Sequence, residues 1–147
     1  MTALSVAIAV ATLSINVQAD DALVPYRVVG DTIPDPLGGL TGDAARGRLL
    51  VLDRTTGNCL ICHKVPEPSE RFMGELGPDL TGVGTRLNTG QIRLRLVDQS
   101  LLNPKTLMPP FYRVRDLTRV AARYRDKPVL NAQQLEDVVA YLTSLSQ

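Results

Sequence analysis

The 147-residue sequence has no tryptophan, and its four tyrosines and two phenylalanines make up only 4% of the chain. Aromatic side chains normally supply much of the apolar area of a folded core. This aromatic content is low for a soluble domain of this size, and a bound cofactor with a large apolar surface would compensate for it. The net charge of +1 gives no general preference for nucleic acid or for an anionic membrane.

Long hydrophobic runs are also absent after the first nineteen residues. The mostly apolar run Ala3–Leu13 is too short to span a membrane, and Val17-Gln18-Ala19 offers the small residues that a signal peptidase reads. No basic residue precedes Arg27, so the usual positive n-region is missing. We expect a signal peptide over residues 1–19 and a soluble, periplasmic mature protein with no membrane span.

Both cysteines and the only histidine lie within five consecutive positions, Cys59-Leu60-Ile61-Cys62-His63. The pattern Cys-x-x-Cys-His is the attachment signature of c-type haem. Two thiols at this spacing can each bond one haem vinyl group, and the next residue offers an imidazole to the iron. The sequence therefore predicts one haem c, attached through Cys59 and Cys62, with His63 as an iron ligand.

Other uses of a cysteine pair fit less well. A thioredoxin-like disulfide needs a surrounding βαβ pattern, and a structural zinc site needs four ligands, which this chain does not have. A disulfide across two residues closes almost no loop and stabilises little. A haem-free metal or disulfide protein is the remaining alternative to a cytochrome.

The second iron ligand is predicted to be a methionine. Met108 lies in the proline-stiffened stretch Leu107-Met108-Pro109-Pro110, whereas Met73 follows His63 by only ten residues, on a loop that must first pass the histidine side of the haem. We therefore favour Met108 over Met73. Methionine–histidine ligation raises the reduction potential and suits electron transfer.

An iron-bound histidine also needs an acceptor for its second ring nitrogen. The backbone carbonyl of Pro78, fifteen residues after His63, is the candidate. A simple turn proline is the alternative role for this residue.

Three segments have helical patterns, which predicts an all-α domain. They are Asp43–Asp53 with Asp43 as N-cap or first-turn acid, Thr89–Asp98 with Thr89 as N-cap, and Asn131–Ser146, where Asn131 and Gln134 resemble a capping box. We expect the last helix to cross the first at Gly47. The predicted division is a signal peptide (1–19), an extended arm rich in Pro and Gly (20–42), tacked down by Val28 and Val29, and a cytochrome domain (43–147).

A basic segment follows the methionine stretch. Between Arg113 and Lys127 six basic residues outnumber two acidic ones. Such a run is usually a solvated face, and near a haem edge it can also guide an acidic partner or balance the propionates. Few aromatic residues are interleaved, so we do not expect nucleic-acid binding.

The order of helix, Gly-Asn-Cys-x-x-Cys-His, Gly-Pro-Asp-Leu, methionine loop and amphipathic last helix resembles the class I cytochromes c. More narrowly, the chain is similar to the SoxX family, the monohaem subunits of SoxAX complexes. The matching segments run through most of the mature chain: residues 42–48, 57–59, 92–98, 103–104, 108–109, 117–120 and 136–142.

This resemblance implies a class I cytochrome c-like fold and a heterodimer with a SoxA-type cytochrome that carries the catalytic haem. Such an L-cysteine S-thiosulfotransferase complex oxidatively couples thiosulfate to a carrier-protein cysteine. The SoxX-like subunit would pass the electrons to a small soluble cytochrome and would not be catalytic on its own. The alternatives are a free-standing electron carrier for another respiratory chain, and an enzyme or gas sensor with an open haem site.

Overall fold

The computed structural model describes residues 23–146, and the predicted signal peptide lies outside them. Four α-helices occur within this range: α1 (Ala44–Leu52), α2 (Val83–Arg86), α3 (Thr89–Asp98) and α4 (Ala132–Ser144). Short 3₁₀ turns lie at Leu37–Gly39, Cys59–Ile61, Gln99–Leu101 and Ala122–Tyr124. Pairing of β type in residues 23–146 is limited to one bridge between Val29 and Thr32. The expected all-α fold is confirmed.

Helices α1 and α4 form the central crossing of the fold. A Cβ atom on Gly47 would lie 1.9 Å from the carbonyl oxygen of Asp137, so the two backbones approach more closely than any side chain allows. Gly42 and Gly84 approach α4 in the same way, with Cβ positions 2.1 Å from the carbonyl oxygens of Glu136 and Thr143. The predicted crossing at Gly47 is confirmed.

The helix starts agree with the sequence in two of three places. Asp43 caps α1, and Asn131 and Gln134 form a capping box on α4. Thr89 as the N-cap of α3 is wrong, because Asn88 holds that position: its side chain accepts from the Gln91 N–H at 2.9 Å. The Gln91 side chain accepts from the Asn88 N–H in return. The pattern Asn-x-x-Gln was present in the sequence and is itself a capping-box signal.

The core lies between α3, α4 and the segments that lead into and out of the helices. Its most deeply buried side chains come from every part of the described chain: Ile33, Leu37, Val51, Leu60, Leu94, Val97, Tyr112, Leu130, Leu135, Val138 and Val139. The apolar side of the amphipathic helix α4 is therefore largely buried. No helix within residues 23–146 is long and apolar enough to cross a membrane.

Residues 23–42 of the predicted arm have little regular structure, and they are anchored by other residues than those predicted. Val28 and Val29 are 41% and 44% exposed, so their expected anchoring role is wrong. Ile33 and Leu37 are buried instead. They lie farther along the arm, where it reaches helices α3 and α4, so the anchor depends on tertiary contacts that local composition does not reveal.

A buried ion pair completes the attachment of the arm. Arg93 of α3 donates to both carboxylate oxygens of Glu136 in α4, at 2.7 and 2.9 Å, and both side chains are 3% exposed. Arg93 also donates to the Ile33 carbonyl, and Glu136 accepts from the Leu37 N–H. A buried pair with all of its hydrogen bonds made fixes geometry, whereas losing one member leaves an unpaired buried charge.

We predict that Gly47→Ala destabilises the protein by about 1–3 kcal/mol, because the new methyl group must push α1 away from α4. Urea unfolding of the haem-loaded protein measures this free energy. Alanine has the higher helix propensity, by up to about 1 kcal/mol, so the helix alone would be stabilised. An unchanged or higher unfolding free energy would therefore contradict the close crossing.

Candidate haem site

A turn over residues 53–58 joins the end of α1 to the haem-attachment motif. The Asp53 carboxylate accepts from the N–H and hydroxyl of Thr55 and from the hydroxyl of Thr56, at 2.8, 2.7 and 2.6 Å. These bonds lower the pKa of Asp53 to about 2. Asn58 then adopts a left-handed conformation, with φ of 51°, and the 3₁₀ turn Cys59–Ile61 follows. The turn chemistry thus sets the position of the first cysteine.

Both cysteines are free thiols and are half-buried. The N–H groups of Cys62 and His63 bond to the Cys59 carbonyl at 3.2 and 3.0 Å, so one helical turn joins all three motif residues. Burial raises the pKa of the Cys59 thiol to about 11. Reactive cysteines of redox enzymes have lowered pKa values instead. Cys59 therefore lacks the thiolate character of the reactive cysteine in a disulfide oxidoreductase.

The His63 ring is held by the backbone that follows it. Its Nδ1 lies 2.7 Å from the carbonyl oxygen of Pro78. A carbonyl only accepts, so Nδ1 carries the hydrogen and Nε2 keeps its lone pair for a metal. The structure thus places Pro78 where the sequence expected an acceptor. Gly77 lies beside the ring, and a Cβ on it would be 2.4 Å from the ring carbon Cε1.

Residues 74–80, here called the histidine loop, run along the motif through main-chain hydrogen bonds. The N–H groups of Gly74, Gly77 and Leu80 donate to the carbonyls of residues 60, 62 and 64, at 2.8, 2.7 and 2.9 Å. Gly74 also has no room for a side chain, because its Cβ would lie 2.0 Å from the Ile61 carbonyl oxygen. Sequence reasoning did not assign roles to Gly74 and Gly77. Their spacing around Pro78 was the available signal.

The loop directly after His63 is tied to the helices by one carboxylate. Arg48 of α1 donates to both oxygens of Glu67, and the Tyr141 hydroxyl of α4 donates to one of them at 2.9 Å. The Arg48 bonds hold the pKa of Glu67 below its ordinary value. Burial, followed by the bond to Glu67, raises the pKa of Tyr141. This network belongs to the histidine side of the site.

The two candidate methionines occupy different places. The Met73 sulfur lies 3.3 Å from the N–H of Val65, two residues after His63, and accepts a hydrogen bond there. Met108 lies on the separate loop after α3, half-buried against the core, and its own N–H donates to the Thr106 hydroxyl at 3.1 Å. Met73 is thus engaged beside the histidine segment, whereas the Met108 sulfur has no such bond among the described contacts.

Phe111 brings the methionine loop, residues 103–112, to the cysteine motif. A Cβ on Gly57 would lie 3.4 Å from the Cys59 sulfur and 3.9 Å from the Phe111 ring. Phe111, three residues after Met108, therefore lies close to Gly57, two residues before the first attachment cysteine. The structure joins Cys59, Cys62, His63 and Pro78 through hydrogen bonds and brings the Met108 loop close to Gly57.

The basic segment is mostly solvent-facing. Arg113 is the exception: it is half-buried, and its Nε lies 3.3 Å from a carboxylate oxygen of the buried Asp98. Arg123 stacks over the Tyr124 ring at 4.8 Å from the ring centre. The exposed basic side chains of the segment are those of Arg115, Arg119, Arg123, Arg125 and Lys127. Their concentration gives this surface a positive potential.

The described residues do not form a metal site from protein side chains alone. Within residues 23–146 no group of three or more His, Cys, Asp or Glu side chains is arranged to hold a metal ion. The single histidine with a free Nε2 and the paired thiols instead fit a prosthetic group that brings its own iron and most of its ligands. Gly77, beside the His63 ring, adds no side chain that would displace it.

Comparison with known proteins identifies the family. No protein-family model and no curated protein matches the chain. Among solved structures, the crystal structure of SoxXA from P. pantotrophus matches with 32% sequence identity and a TM-score of 0.76. The alignment covers 83% of this chain and 95% of the matched one. This chain belongs to the SoxX family.

Membership of the SoxX family agrees with the site described above. The all-α class and the family resemblance expected from the sequence are both confirmed. The Cys59–Cys62 spacing and the SoxXA match are consistent with covalent haem c. Several segments that carried the resemblance hold structural contacts: Gly42 and Gly47 meet α4, and Arg93 pairs with Glu136.

We predict that Gly77→Ala displaces the His63 ring and weakens the bond to Pro78 while leaving the haem covalently attached. Circular dichroism of the haem absorption band, which depends on ring orientation, should change. Gly39→Ala is the matched control. Gly39 has φ of +67° and no atom within 4 Å of its Cβ position. An alanine at this position therefore adds backbone strain of roughly 1–2 kcal/mol without contacting the His63 ring. Identical spectra for Gly77→Ala and wild type would contradict the close approach of Gly77 to the His63 ring.

Proposed function

We propose that this SoxX-family protein is an electron-relay cytochrome with one haem c attached to Cys59 and Cys62. The observation that carries the proposal is the contact between His63 Nδ1 and the Pro78 carbonyl at 2.7 Å. This contact leaves Nε2 available as an iron ligand and makes His63 a stronger electron-pair donor to the iron. A residue that served only packing would not need a fixed tautomer beside two free thiols.

The second ligand in this proposal is Met108. The Met73 sulfur already accepts a hydrogen bond from the Val65 N–H. Because Val65 follows His63 by two residues, Met73 would lie on the same side of a haem as His63. The Met108 N–H donates to the Thr106 hydroxyl, and two prolines, Pro109 and Pro110, follow Met108 directly. Prolines fix φ and restrict the residue before them, so little chain entropy is lost when the sulfur binds.

Ligation from both sides decides the kind of chemistry. A bound haem c supplies one-electron exchange between ferric and ferrous iron. With His63 and Met108 in place, no coordination position remains for a substrate. The chain has only two cysteines, and both are used for attachment, so none can carry a sulfur intermediate. These residues favour electron transfer over direct sulfur chemistry.

The match to SoxXA supports a proposal for the cellular role. We infer that the partner is a SoxA-type cytochrome, in a complex that oxidatively couples thiosulfate to a carrier-protein cysteine. That coupling releases two electrons, so a one-haem subunit must be reduced and reoxidised twice for each thiosulfate. The acceptor would be a small soluble cytochrome, and residues 1–19 would direct export to the periplasm. The exposed arginines of residues 113–127 favour an acidic docking partner.

We predict that Met108→Ala removes the sulfur-to-iron charge-transfer band and converts the ferric haem from low spin towards high spin. Its reduction potential should fall, because the thioether stabilises ferrous iron. Visible absorption and redox titration of protein expressed with a haem-attachment system measure both changes.

Met73→Ala is the matched control for this prediction. It removes the other thioether after the signal segment and should leave the charge-transfer band intact. Loss of the band in Met73→Ala, with retention in Met108→Ala, would reverse the ligand assignment. A high-spin wild-type protein would favour an open haem site instead.

A further inference from the structure

Tyr112 is a buried side chain that links the N-terminal arm to the methionine loop. It is 1% exposed, and its hydroxyl oxygen accepts a hydrogen bond from the Val24 N–H at 2.7 Å. The Tyr26 ring lies against it, with ring centres 6.3 Å apart at 55°. Residues 88 positions apart in the chain therefore meet at this phenol. Neither the attachment motif nor the ligand assignment uses it.

The connection from Tyr112 to Met108 is short and stiff. Pro109 and Pro110 have fixed φ angles and leave few free rotations between the two residues. The N–H groups of Phe111 and Tyr112 donate to the carbonyls of Leu96 and Val97 at the end of α3, at 3.1 and 3.3 Å. These carbonyls are among the helix-end acceptors that need partners. A displacement of Tyr112 therefore moves Met108 with it.

The arm is itself fixed at its far end. The Ile33 carbonyl accepts from Arg93, and the Leu37 N–H donates to Glu136, within the buried ion pair of α3 and α4. The Ile33 N–H donates to the Gly90 carbonyl at 3.1 Å. The segment before Ile33 is thus attached at one end to the helices and reaches the methionine loop at the other, through Val24.

We propose that Tyr112 is a positioning residue for the Met108 ligand. In this proposal the arm holds the methionine loop in place through the Val24–Tyr112 hydrogen bond, here called the clasp. The arm then has a role in keeping the iron six-coordinate. This inference rests on the proposed ligation by Met108. It predicts that weakening the clasp raises the fraction of molecules in which the sulfur has left the iron.

The test is an imidazole titration of the ferric, haem-loaded full chain. Imidazole binds only where Met108 has dissociated, so its apparent affinity scales with the population of that open form. Tyr112→Phe keeps the ring and removes the acceptor. We expect the low-spin spectrum to persist and the apparent imidazole affinity to rise about two- to tenfold, the range that loss of one hydrogen bond gives.

Two further variants separate the clasp from a general loss of stability. Gly47→Ala destabilises the crossing of α1 and α4, where the added methyl group would meet the Asp137 backbone and not the arm or the methionine loop. It should leave the imidazole affinity unchanged. Val24→Pro removes the donor N–H without altering Tyr112, and should reproduce the increase. The double variant of Val24→Pro with Tyr112→Phe should be no more than marginally worse than either single one, because both remove the same bond.

The possible failures are distinguishable. If Met108→Ala leaves the wild-type spectrum unchanged, the ligation is wrong and the inference falls with it. If Met108→Ala alters the spectrum but Tyr112→Phe and Val24→Pro bind imidazole as the wild type does, the ligation stands and the clasp is wrong. An equal rise in Gly47→Ala would also overturn the clasp, since a general loss of stability would then account for the effect.

Discussion

Close approach of bare backbone is the constraint on which both the fold and the site depend. At Gly47, helix α1 meets α4 with no room for a Cβ atom, and at Gly77 the histidine loop meets the His63 ring in the same way. Gly74 repeats this contact against the Ile61 carbonyl. Protein interiors are packed so densely that one added methyl group must displace its neighbours. The helices and the His63 ring can therefore take their positions only because these glycines have no side chain.

Charged groups on α4 hold the chain around that crossing. Glu136 and Asp137 are each only 3% exposed, which is unusual for adjacent acids on one helix. Glu136 pairs with Arg93 and receives the Leu37 N–H, while Asp137 pairs with Arg46 and receives the Asp43 N–H. Burial alone would raise the pKa of Asp137, but the bonds from Arg46 and the Asp43 N–H outweigh it and lower that pKa. The two acids thus join the arm and α1 to α4.

Local sequence signals predicted much of this molecule. The motif Cys59–His63, the caps Asp43 and Asn131, the crossing at Gly47 and the place of the Pro78 carbonyl follow from spacing and residue chemistry. Contacts between distant segments could not be read in this way. Ile33 rather than Val28 anchors the arm because Arg93 and Gly90 bind its backbone, and Tyr112 meets Val24 only in the folded chain. Both depend on tertiary geometry that no window of neighbouring residues contains.

The most direct test of the relay is to follow the haem of this chain during thiosulfate oxidation. The oxidised protein would be mixed with thiosulfate alone, and then with thiosulfate, a SoxA-type partner and its carrier protein. The account predicts no reduction by thiosulfate alone and rapid reduction in the complete mixture, with two equivalents of this haem reduced for each thiosulfate coupled. Reduction by thiosulfate in the absence of the partner, or a haem that stays oxidised in the complete mixture, would contradict it.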